Sequence, residues 1–577
     1  MMKIEKNYDL LMKLFLAAAG VAAYFSYTLG KNTDNRYYFG FIIVLIFIII
    51  SYFFKGKRDR EIMLQYIMEN WGKPHNKKRN LDIARRYFDR LSENCTGKYI
   101  DDQTWEDLNM NDIYIMLDRN LTTAGEQVLY DILRNPLYEE APLLKRNSLI
   151  KLLQEDRELR EKLQVILHKA GRLKDNDLLA ILWGEMDVKT YMRVVTNLAA
   201  VMPMVLPILL YFISPYAAII SFILCFGINV YIHMNHGVKN DVSINSIRYL
   251  SDLVRAAGAA SKLENETLGT YTGELKQIFS KVASIAKKST NIGITEGLDV
   301  LMDYFKIIYL IEERSYYRVI DDIIKNREAL QKMYRLIGEL DSLISIASYR
   351  VEIDTFAEPK FVQGRRLLKA EGLVHPLLEN PVTNNINIEE GGVIITGSNM
   401  SGKSTYLRAL GLSALMAQTI YMVTADKYEA CFYNIMTSIS PNDSILQGKS
   451  YYLGEAEAVL RIINSCSDET PVLCIVDEIF RGTNPVERIS ASAEILKYII
   501  KHNATAIVAT HDLELTELLA ENFENYYFTE NVDSEEGLQF DYKIRKGVSN
   551  TRNAIRLLEY LGYPDVIVQA AEKQITG

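Results

Sequence analysis

A glycine-rich loop at residues 397–405 is the part of this sequence whose residue types most directly predict chemistry. It follows the phosphate-binding pattern GxxxxGK[ST], with Gly397 at its start and Gly402, Lys403 and Ser404 at its end. Glycines let such a loop wrap closely around phosphates, so that backbone N–H groups and the next helix N-terminus face the anion. The predicted nucleotide-binding residues are Gly397, Ser398, Asn399, Met400, Ser401, Gly402, Lys403, Ser404 and Thr405.

Individual side chains of this loop have predicted roles. Lys403 is expected to reach the β- and γ-phosphates, and the Ser404 hydroxyl is expected to bind Mg²⁺. Lys403 and Asn399 are candidate catalytic residues. A chance match is the alternative, but an apolar strand at residues 392–396 precedes the loop and a helical pattern at residues 406–418 follows it. ATP and Mg²⁺ are therefore the predicted cofactors.

Two carboxylates follow a second apolar run, at residues 471–476. A buried parallel strand would deliver Asp477 and Glu478 at its carboxyl end, the sheet edge where ligands bind. Asp477 is predicted to hold Mg²⁺ through its water shell, and Glu478 to orient and deprotonate the attacking water. The alternative is an acidic pair that only caps the next turn.

A third apolar run, at residues 504–510, leads into His511. A lone histidine is more often structural than functional. One at the same sheet edge as a phosphate-binding loop is placed to sense the γ-phosphate, so we predict that His511 is catalytic.

Secondary-structure patterns divide the chain into a helical and an α/β part. Leucine and isoleucine recur at three- and four-residue spacing over residues 141–192 and 242–350, which predicts packed helices. Residues 65–90 are also helical in pattern. From residue 391, short β-rich runs at residues 393–396, 472–476 and 504–509 alternate with helices. This alternation predicts a parallel sheet with helices on both faces.

Four apolar stretches interrupt the soluble pattern. They lie at residues 10–29, 38–54, 195–213 and 216–232, close to the ~17 to 25 residues that cross a bilayer as a helix. Only Ser214 and Pro215 separate the last two, which predicts a tight hairpin. Buried helices of a soluble core are the alternative, but adjacent runs with so few charges would be unusual there. We predict two transmembrane hairpins.

The positions of basic residues predict the orientation of these hairpins. The basic residues that flank the apolar stretches on the predicted inner side are Lys3, Lys6, Lys55, Lys57, Arg58, Arg60, Lys189 and Arg193. The positive-inside rule then places both termini and the ATPase domain in the cytoplasm, where ATP is available. The predicted location is the cell membrane, as a multi-pass protein.

Composition limits the classes of ligand. The 577 residues suggest about three or four domains. With 65 basic and 73 acidic residues, the chain does not match a protein that holds nucleic acid through a broad basic surface. Its 5 cysteines show no metal-ligand spacing, so we expect neither structural zinc nor a disulfide.

The three motifs at residues 396–406, 477–484 and 509–512 resemble, in order and spacing, the ATPase domain of the MutS family. Between the first two, Ser450 is followed five residues later by Glu455, which looks like the family's signature loop. The resemblance implies that Ser450 is offered to the nucleotide of the other subunit, and hence a homodimer through the ATPase domain. An ABC-transporter ATPase, the nearest competitor, would need an LSGGQ-like element, and none is present.

The resemblance extends to both sides of these motifs. Residues 117–137 look like the start of the family's core helical domain, and residues 338–347 look like its long lever helix. The C-terminal residues 542–547 and 555–564 are similar to the family's terminal region, which contributes a helical dimer contact. Tyr542 falls where the family places a ring against adenine.

The sequence also departs from the family. The family's mismatch-reading domain, with its Phe-x-Glu wedge, would precede the core, where this chain has its first hairpin. The family's terminal pattern of Gly, Ser and Gly is here Gly547, Arg552 and Ala554. Mismatch recognition is therefore not implied.

The predicted fold class is an α/β P-loop ATPase domain, with a parallel sheet and helices on both faces, plus an all-α lever and core domain and four transmembrane helices in two hairpins. The predicted domains are the first hairpin at 1–60, the first part of the core at 61–194, the second hairpin at 195–233, core and lever helices at 234–360, and the ATPase domain with its dimer contact at 361–577.

The predicted function is a membrane-anchored ATPase whose dimer moves helical arms, linked to DNA binding or handling near the membrane without mismatch reading. One alternative is a membrane regulatory or transport-coupled ATPase with no nucleic-acid ligand. The transport version is disfavoured, because the spans carry no internal charge beyond Lys13 and offer no substrate path. A soluble mismatch-repair protein is a third possibility, and the apolar stretches argue against it.

Overall fold

The computed structural model describes most of the chain. The described residues are 2–74, 79–93, 98–173, 178–184, 190–236, 244–288, 299–398, 401–439, 451–466, 469–480, 484–533, 537–548 and 563–576. The predictions for Asn399, Met400 and Ser450, and most of the predicted C-terminal dimer contact, lie outside these residues.

The chain before residue 360 is helical wherever it is described as regular structure. Its helices are α1 (Met2–Asn32), α2 (Phe41–Asn70), α3 (Leu81–Ser92), α4 (Asp102–Asp107), α5 (Met110–Leu117), α6 (Thr123–Arg134), α7 (Glu140–Glu155), α8 (Arg157–Ala170), α9 (Leu178–Trp183), α10 (Thr190–Tyr211), α11 (Pro215–His236), α12 (Ile244–Ala260), α13 (Gly269–Lys288), α14 (Asp299–Ile308), α15 (Ile311–Lys325) and α16 (Arg327–Glu352). A short 3₁₀ helix, Asn35–Gly40, joins α1 to α2.

Four of these helical segments are long and apolar enough to cross a membrane, judged by length and composition. They are Asn7–Asn32, Asn35–Asn70, Tyr191–Tyr211 and Pro215–Met234. The first two pack as an antiparallel pair, in which the Ser51 hydroxyl donates to the Met12 carbonyl (2.9 Å) and Phe15 stacks on Phe54 with ring centroids 5.7 Å apart. Most of their other apolar side chains lie on the surface, where a soluble helix would carry polar residues.

Helix α2 continues well past its apolar half and then stops abruptly. The helical pattern over residues 65–90 corresponds to parts of two helices, because α2 ends at Asn70 and α3 begins at Leu81. Gly72 has φ +65°, a left-handed conformation that glycine adopts without strain and that ends helices. Its N–H donates to the Ser348 hydroxyl of α16 (3.0 Å), which fixes the end of α2 against the helical core.

Helix α16 runs through the centre of this core. Its Asp341, 1% exposed, accepts hydrogen bonds from the Leu121 and Thr122 backbone N–H groups and from the Thr122 hydroxyl. Gly338 allows α6 to approach closely, because a Cβ there would lie 2.5 Å from the Val128 side chain. The end of α16 at Glu352 agrees with the helical pattern that the sequence shows up to residue 350.

The remainder of the chain combines strands and helices. The strands are β1 (Lys360–Phe361), β2 (Leu367–Leu373), β3 (Asn384–Glu389), β4 (Gly392–Thr396), β5 (Lys427–Ala430), β6 (Asn434–Ser438), β7 (Val472–Asp477), β8 (Ala504–Ala509), β9 (Phe523–Tyr527), β10 (Glu530–Asp533), β11 (Gly537–Phe540) and β12 (Arg545–Lys546). The helices are α17 (Lys403–Ile420), α18 (Tyr451–Ser465), α19 (Pro485–Lys501), α20 (Glu514–Leu518) and α21 (Asp565–Thr576).

The larger sheet has the strand order β12-β9-β4-β8-β7-β6. The pairs β9–β4, β4–β8, β8–β7 and β7–β6 are parallel, and β12 adds an antiparallel edge. Side chains of β7 alternate between two cores: Leu473 and Ile475 pack towards α17 and the helical domain, whereas Val472, Cys474 and Val476 pack with α18 and α19. Both faces of the sheet are therefore covered by helices.

A second, mixed sheet has the order β1-β5-β2-β3. The prediction that β structure begins at residue 391 was wrong, since β1, β2 and β3 precede it. Strand β3 alternates buried and exposed residues, but its buried positions include Asn384, a residue type with low strand propensity. Strand β2 contains Gly372 at φ +65° beside an irregular register. The buried asparagine in β3 and the irregular register in β2 both weaken the alternation of apolar and polar residues by which a strand is recognised in a sequence.

Arg350 connects α16 to the α/β part. Its guanidinium donates to the carbonyls of Ile420 and Tyr421 (both 2.9 Å), at the C-terminal end of α17, and to Asn147 Oδ1 (2.6 Å). Burial lowers the pKa of Arg350 to about 10, so the side chain still carries its charge at neutral pH. The C-terminus of a helix favours such a cation.

This contact leads to a prediction about stability. Arg350→Met should lower the free energy of unfolding by about 3 kcal/mol, because it leaves two buried carbonyls without a donor. Urea titration of the detergent-purified chain, followed by tryptophan fluorescence, would measure the change. Arg157→Met is the matched control, since the Arg157 side chain is 62% exposed. Equal midpoints for the two variants would contradict the role of Arg350.

Candidate functional site

The phosphate-binding loop connects β4 to α17. Gly397 has φ +139°, and a Cβ there would lie 2.8 Å from the Phe528 carbonyl oxygen. Gly402, immediately before the helix, has φ +101°. Both positions therefore require glycine, for backbone conformation and, at Gly397, for space. The loop carries backbone N–H groups to the N-terminus of α17, where an anion is favoured.

Lys403 folds back over this loop. Its Nζ donates to the carbonyls of Gly397 (2.6 Å) and Ser398 (2.8 Å) and lies 3.5 Å from Nε2 of His511. The hydroxyl of Ser401 donates to the same Ser398 carbonyl (2.7 Å). The ammonium thus lies inside the loop, where it can neutralise charge on a bound phosphate.

Ser404 and Asp477 form the candidate metal site. The Ser404 hydroxyl donates to Oδ2 of Asp477, across the width of β8. Asp477 is 6% exposed and is the last residue of β7. A hydroxyl and a carboxylate are hard oxygen ligands of the kind that Mg²⁺ takes, together with water and substrate phosphates. The pair fits the predicted ion.

Glu478 adopts an unusual backbone conformation. Its φ is +63°, a left-handed value that is uncommon for a residue with a side chain and that concentrates at functional sites. Its backbone N–H donates to the Ala509 carbonyl of β8 (2.9 Å), and its Oε1 lies 3.0 Å from Nε2 of His511. The two predicted catalytic side chains are therefore in direct contact, beside the end of Lys403.

The loop that carries His511 is held by a residue that the sequence analysis did not single out. Arg488 of α19 forms a two-pronged ion pair with Asp512, with its Nε 2.9 Å from Oδ2. This pair fixes the turn after β8. A basic residue one turn into a helix carries no motif, so no sequence signal identified it.

A cavity of about 390 Å³ adjoins the end of the loop, where Gly402 and Ser404 line it. Tyr542, the predicted adenine contact, lies in its wall, and a Cβ at Gly402 would be 3.2 Å from the Tyr542 ring. Asn384 holds this segment, donating to the Tyr542 carbonyl and accepting from the Ile544 N–H (both 2.9 Å). The cavity is thus large enough for a purine ring and adjacent to the phosphate loop.

A second part of the cavity wall was not predicted. It includes His375, which follows β2, and Asn384 and Leu378 from the β2–β3 region. Burial, and secondarily the charge of Arg408, lower the pKa of His375 to about 4, so the ring is neutral at physiological pH. Its Nδ1 accepts from the Leu377 N–H (3.3 Å), which leaves Nε2 as the donor.

The helical domain contacts the strand that leads to the predicted Ser450 loop. Asp107 of α4 accepts hydrogen bonds from the Thr437 hydroxyl (2.7 Å) and the Ile439 N–H (2.9 Å), at the end of β6. Glu455, predicted at the end of that loop, is buried on α18. Ser450 itself lies outside the described residues, so its role across a dimer stays a prediction.

Two family profiles match this chain. Residues 79–347 match the family described as MutS domain III, and residues 393–577 match MutS domain V. The first range begins just before α3 and ends within α16, at residue 347. The second covers the phosphate loop and every other residue of the candidate site except the wall at 373–384.

Curated proteins with the same domains are about 30% identical to this chain. DNA mismatch repair protein MutS of Petrotoga mobilis is 32% identical over 276 residues, which is 46% of this chain and 33% of that protein. MutS of Aquifex pyrophilus is 29% identical over 347 residues, which is 58% of this chain and 37% of that protein. Human MutS protein homolog 4 is 28% identical over 340 residues, which is 56% of this chain and 36% of that protein. This chain therefore spans about a third of the length of these relatives.

Proposed function

Because this chain belongs to the MutS family, we propose that it is a membrane-anchored, homodimeric ATPase. Binding and hydrolysis of ATP would move its helical domain, and the apolar hairpins would hold that domain at the membrane. The observation that carries the proposal is the meeting of Lys403, the Ser404–Asp477 pair and the Glu478–His511 pair at one edge of the sheet.

Each group of this site has a proposed role in hydrolysis. The loop N–H groups and Lys403 bind and orient the phosphates, and Ser404 and Asp477 hold the Mg²⁺ ion. When bound, the ion supplies charge that stabilises the phosphoryl group during transfer. Glu478 positions a water and accepts its proton, and His511, hydrogen-bonded to Glu478, orients that carboxylate and senses the γ-phosphate. Asn399 is a further candidate in the loop.

Two contacts would transmit closure of the ATPase site to the helical domain. Movement of α17 would act on its C-terminal carbonyls, which Arg350 of α16 holds. Movement at the end of β6 would act on Asp107 of α4. These two contacts support the proposal that dimer closure over ATP displaces the helices.

The membrane topology is proposed from the four apolar helices and their flanking charges. We expect both termini and residues 55–193 to face the cytoplasm, and residues 30–37 and the turn at Ser214 to face outward. In a cysteine-free background, Thr33→Cys should react with an impermeant maleimide in intact cells, whereas Lys57→Cys should react only after lysis. Labelling of Lys57→Cys in intact cells would reverse the orientation.

DNA is the proposed ligand of the helical domain, through contacts that do not distinguish mismatches. The names of the bacterial relatives refer to mismatch repair, but this chain matches only about a third of their length. Reading a mismatch requires a wedge that unstacks bases at a cost of a few kcal/mol. The net charge of −8 adds no general attraction to phosphates.

We therefore expect the affinities for matched and G·T-mismatched duplexes to agree within about threefold. This corresponds to a difference in binding free energy below ~1 kcal/mol. Filter binding of the detergent-purified chain, with duplexes of equal length at one salt concentration, would test this. A preference of about tenfold or more for the mismatch would show that a reader surface exists.

A membrane regulatory ATPase with no nucleic-acid ligand is the second candidate, and the acidic net charge favours it. The same filter-binding experiment separates the two. Absence of any duplex, branched or single-stranded DNA binding at low salt would select the second candidate and leave the proposed ATPase chemistry unaffected.

A further inference from the structure

A second cavity, of about 350 Å³, lies where α2 meets the helical core, and it shares no lining residue with the cavity beside the phosphate loop. We call it the junction cavity. Its walls come from the end of α2 and the turn after it, the loop before α6, the last two turns of α8 with the residues that follow, and one face of α16. The lining residues from these elements include Trp71, Arg119, Gln164, Arg172 and Ser348.

The charges around the junction cavity have one sign. Lys73, Arg119 and Arg172 line it, and no carboxylate does so among the described residues. The two arginines pair with acids that are not lining residues of the cavity: Arg119 contacts Glu352, and Arg172 contacts Glu126. Lys73 is an exposed residue of this lining. A concave site with convergent donors of this kind attracts an anion.

A buried amide in the same wall requires a hydrogen-bond partner. Gln164 is only 7% exposed, yet among the described residues its Oε1 has none. A buried polar group without a partner is costly and calls for an explanation such as a bound molecule. An occupant that combines an anionic group with a hydroxyl or amino donor would satisfy both Gln164 and the basic side chains.

The position of the cavity decides between a lipid headgroup and a soluble molecule. The apolar part of α2 ends at Phe54, and Tyr66 of the cavity wall lies 12 residues further along the same helix. At the α-helical rise this is about 18 Å. Headgroup layers extend only about 5 to 8 Å beyond the hydrocarbon on each side. A lipid embedded in the bilayer would not reach the cavity.

We propose that the junction cavity binds a soluble organic phosphate. The phosphate contacts Arg119, Arg172 and Lys73, and a hydroxyl or amino group of the ligand donates to Gln164 Oε1. The volume fits a sugar phosphate or a molecule of similar size.

The cavity is connected to the ATPase site. Arg119 donates from its backbone N–H to the Ser345 hydroxyl (2.6 Å) and from Nη1 to the Ser348 hydroxyl (3.1 Å), both on α16. Arg350, which holds the end of α17, is two residues beyond Ser348 on the same helix. A ligand that draws Arg119 towards the cavity therefore acts on the helix that contacts the phosphate-loop helix.

Trp71 provides the signal for a binding test. Its ring lies in the cavity wall, with the Arg160 guanidinium 3.9 Å from the ring centroid. Ribose 5-phosphate, glucose 6-phosphate and glycerol 3-phosphate would be titrated into the detergent-purified full chain, with ribose, glucose and glycerol as controls. We expect at least one phosphate to change the tryptophan fluorescence and raise the melting temperature. The fluorescence change should disappear in Trp71→Phe.

Variants on α8 and just after it locate the site. Gln164→Leu and Arg172→Gln should each weaken binding at least tenfold, while Arg157→Gln, on the exposed side of α8, should leave it unchanged. Because the side-chain oxygen of Gln164 has no hydrogen-bond partner within the described chain, its replacement should not lower the melting temperature of the ligand-free protein.

Three results would overturn the proposal. The first is no response to any of the phosphates at roughly 10 mM, far above the Kd of a specific site. The second is parent-like binding by Gln164→Leu and Arg172→Gln. The third is a response to nanodiscs containing phosphatidylglycerol, but not to phosphatidylcholine nanodiscs or to any soluble phosphate, which would assign the cavity to a lipid headgroup.

Discussion

Replacing Glu478 by glutamine is expected to slow ATP hydrolysis by about 10²-fold or more while leaving ATP affinity within a few-fold of the parent. Glutamine keeps the size of the side chain and a carbonyl oxygen that can face His511. It cannot accept a proton from water. The phosphate loop and the Ser404–Asp477 pair, which bind the nucleotide, would remain unchanged.

Phosphate release and binding of a fluorescent ATP analogue would measure the two effects separately. Glu487→Gln, an exposed acid in the first turn of α19, is the matched control and should behave like the parent. Parent-like turnover by Glu478→Gln would remove Glu478 from its proposed role. Loss of binding together with turnover would mean that Glu478 holds the nucleotide or the fold.

Mixing two inactive variants is expected to restore hydrolysis if the site is shared between subunits. Lys403→Ala should lose ATP binding, because the ammonium inside the loop is removed. Ser450→Ala should lose the group offered to the partner's nucleotide. A mixed dimer would then contain one intact site, formed by the loop of the Ser450 variant and the serine of the Lys403 variant.

Random exchange of equal amounts should therefore recover about a quarter of the parent activity, since half of the dimers are mixed and each has one of two sites. Each variant alone should be nearly inactive. The double variant Lys403→Ala with Ser450→Ala, mixed with the parent, controls for exchange. If exchange is complete and no activity returns, Ser450 acts within its own subunit or outside catalysis.

The sequence was most informative where chemistry depends on the ends of parallel strands. Lys403, the adjacent pair Asp477 and Glu478, and His511 come from three distant parts of the chain, and each part follows a buried apolar run. Parallel strands present their carboxyl ends at a common edge. The adjacency of Glu478 and His511 follows from this rule, although their hydrogen bond and the left-handed conformation of Glu478 do not.

The sequence was least informative where a site is built from connecting segments. His375 lies after a strand whose pattern was too irregular to detect, and nothing in its neighbours indicates a nucleotide. Gln164 is one polar residue on a helix, and its importance depends on whether its amide finds a partner in three dimensions. Such properties depend on contacts between distant segments, which residue spacing does not record.

The hydrogen bonds that Asp341 accepts from the Leu121 region also constrain the order in which the protein can fold. These groups are 220 residues apart in the chain. At about 5 to 20 residues per second, the ribosome needs roughly 10 to 45 s to supply Asp341 after Leu121 has been made. In that interval the proposed second hairpin must enter the bilayer, while the loop before α6 exposes N–H groups that have no acceptor. A chaperone or the insertion machinery would have to protect the unfinished helical domain until α16 arrives, so slowing synthesis between these points should increase its degradation.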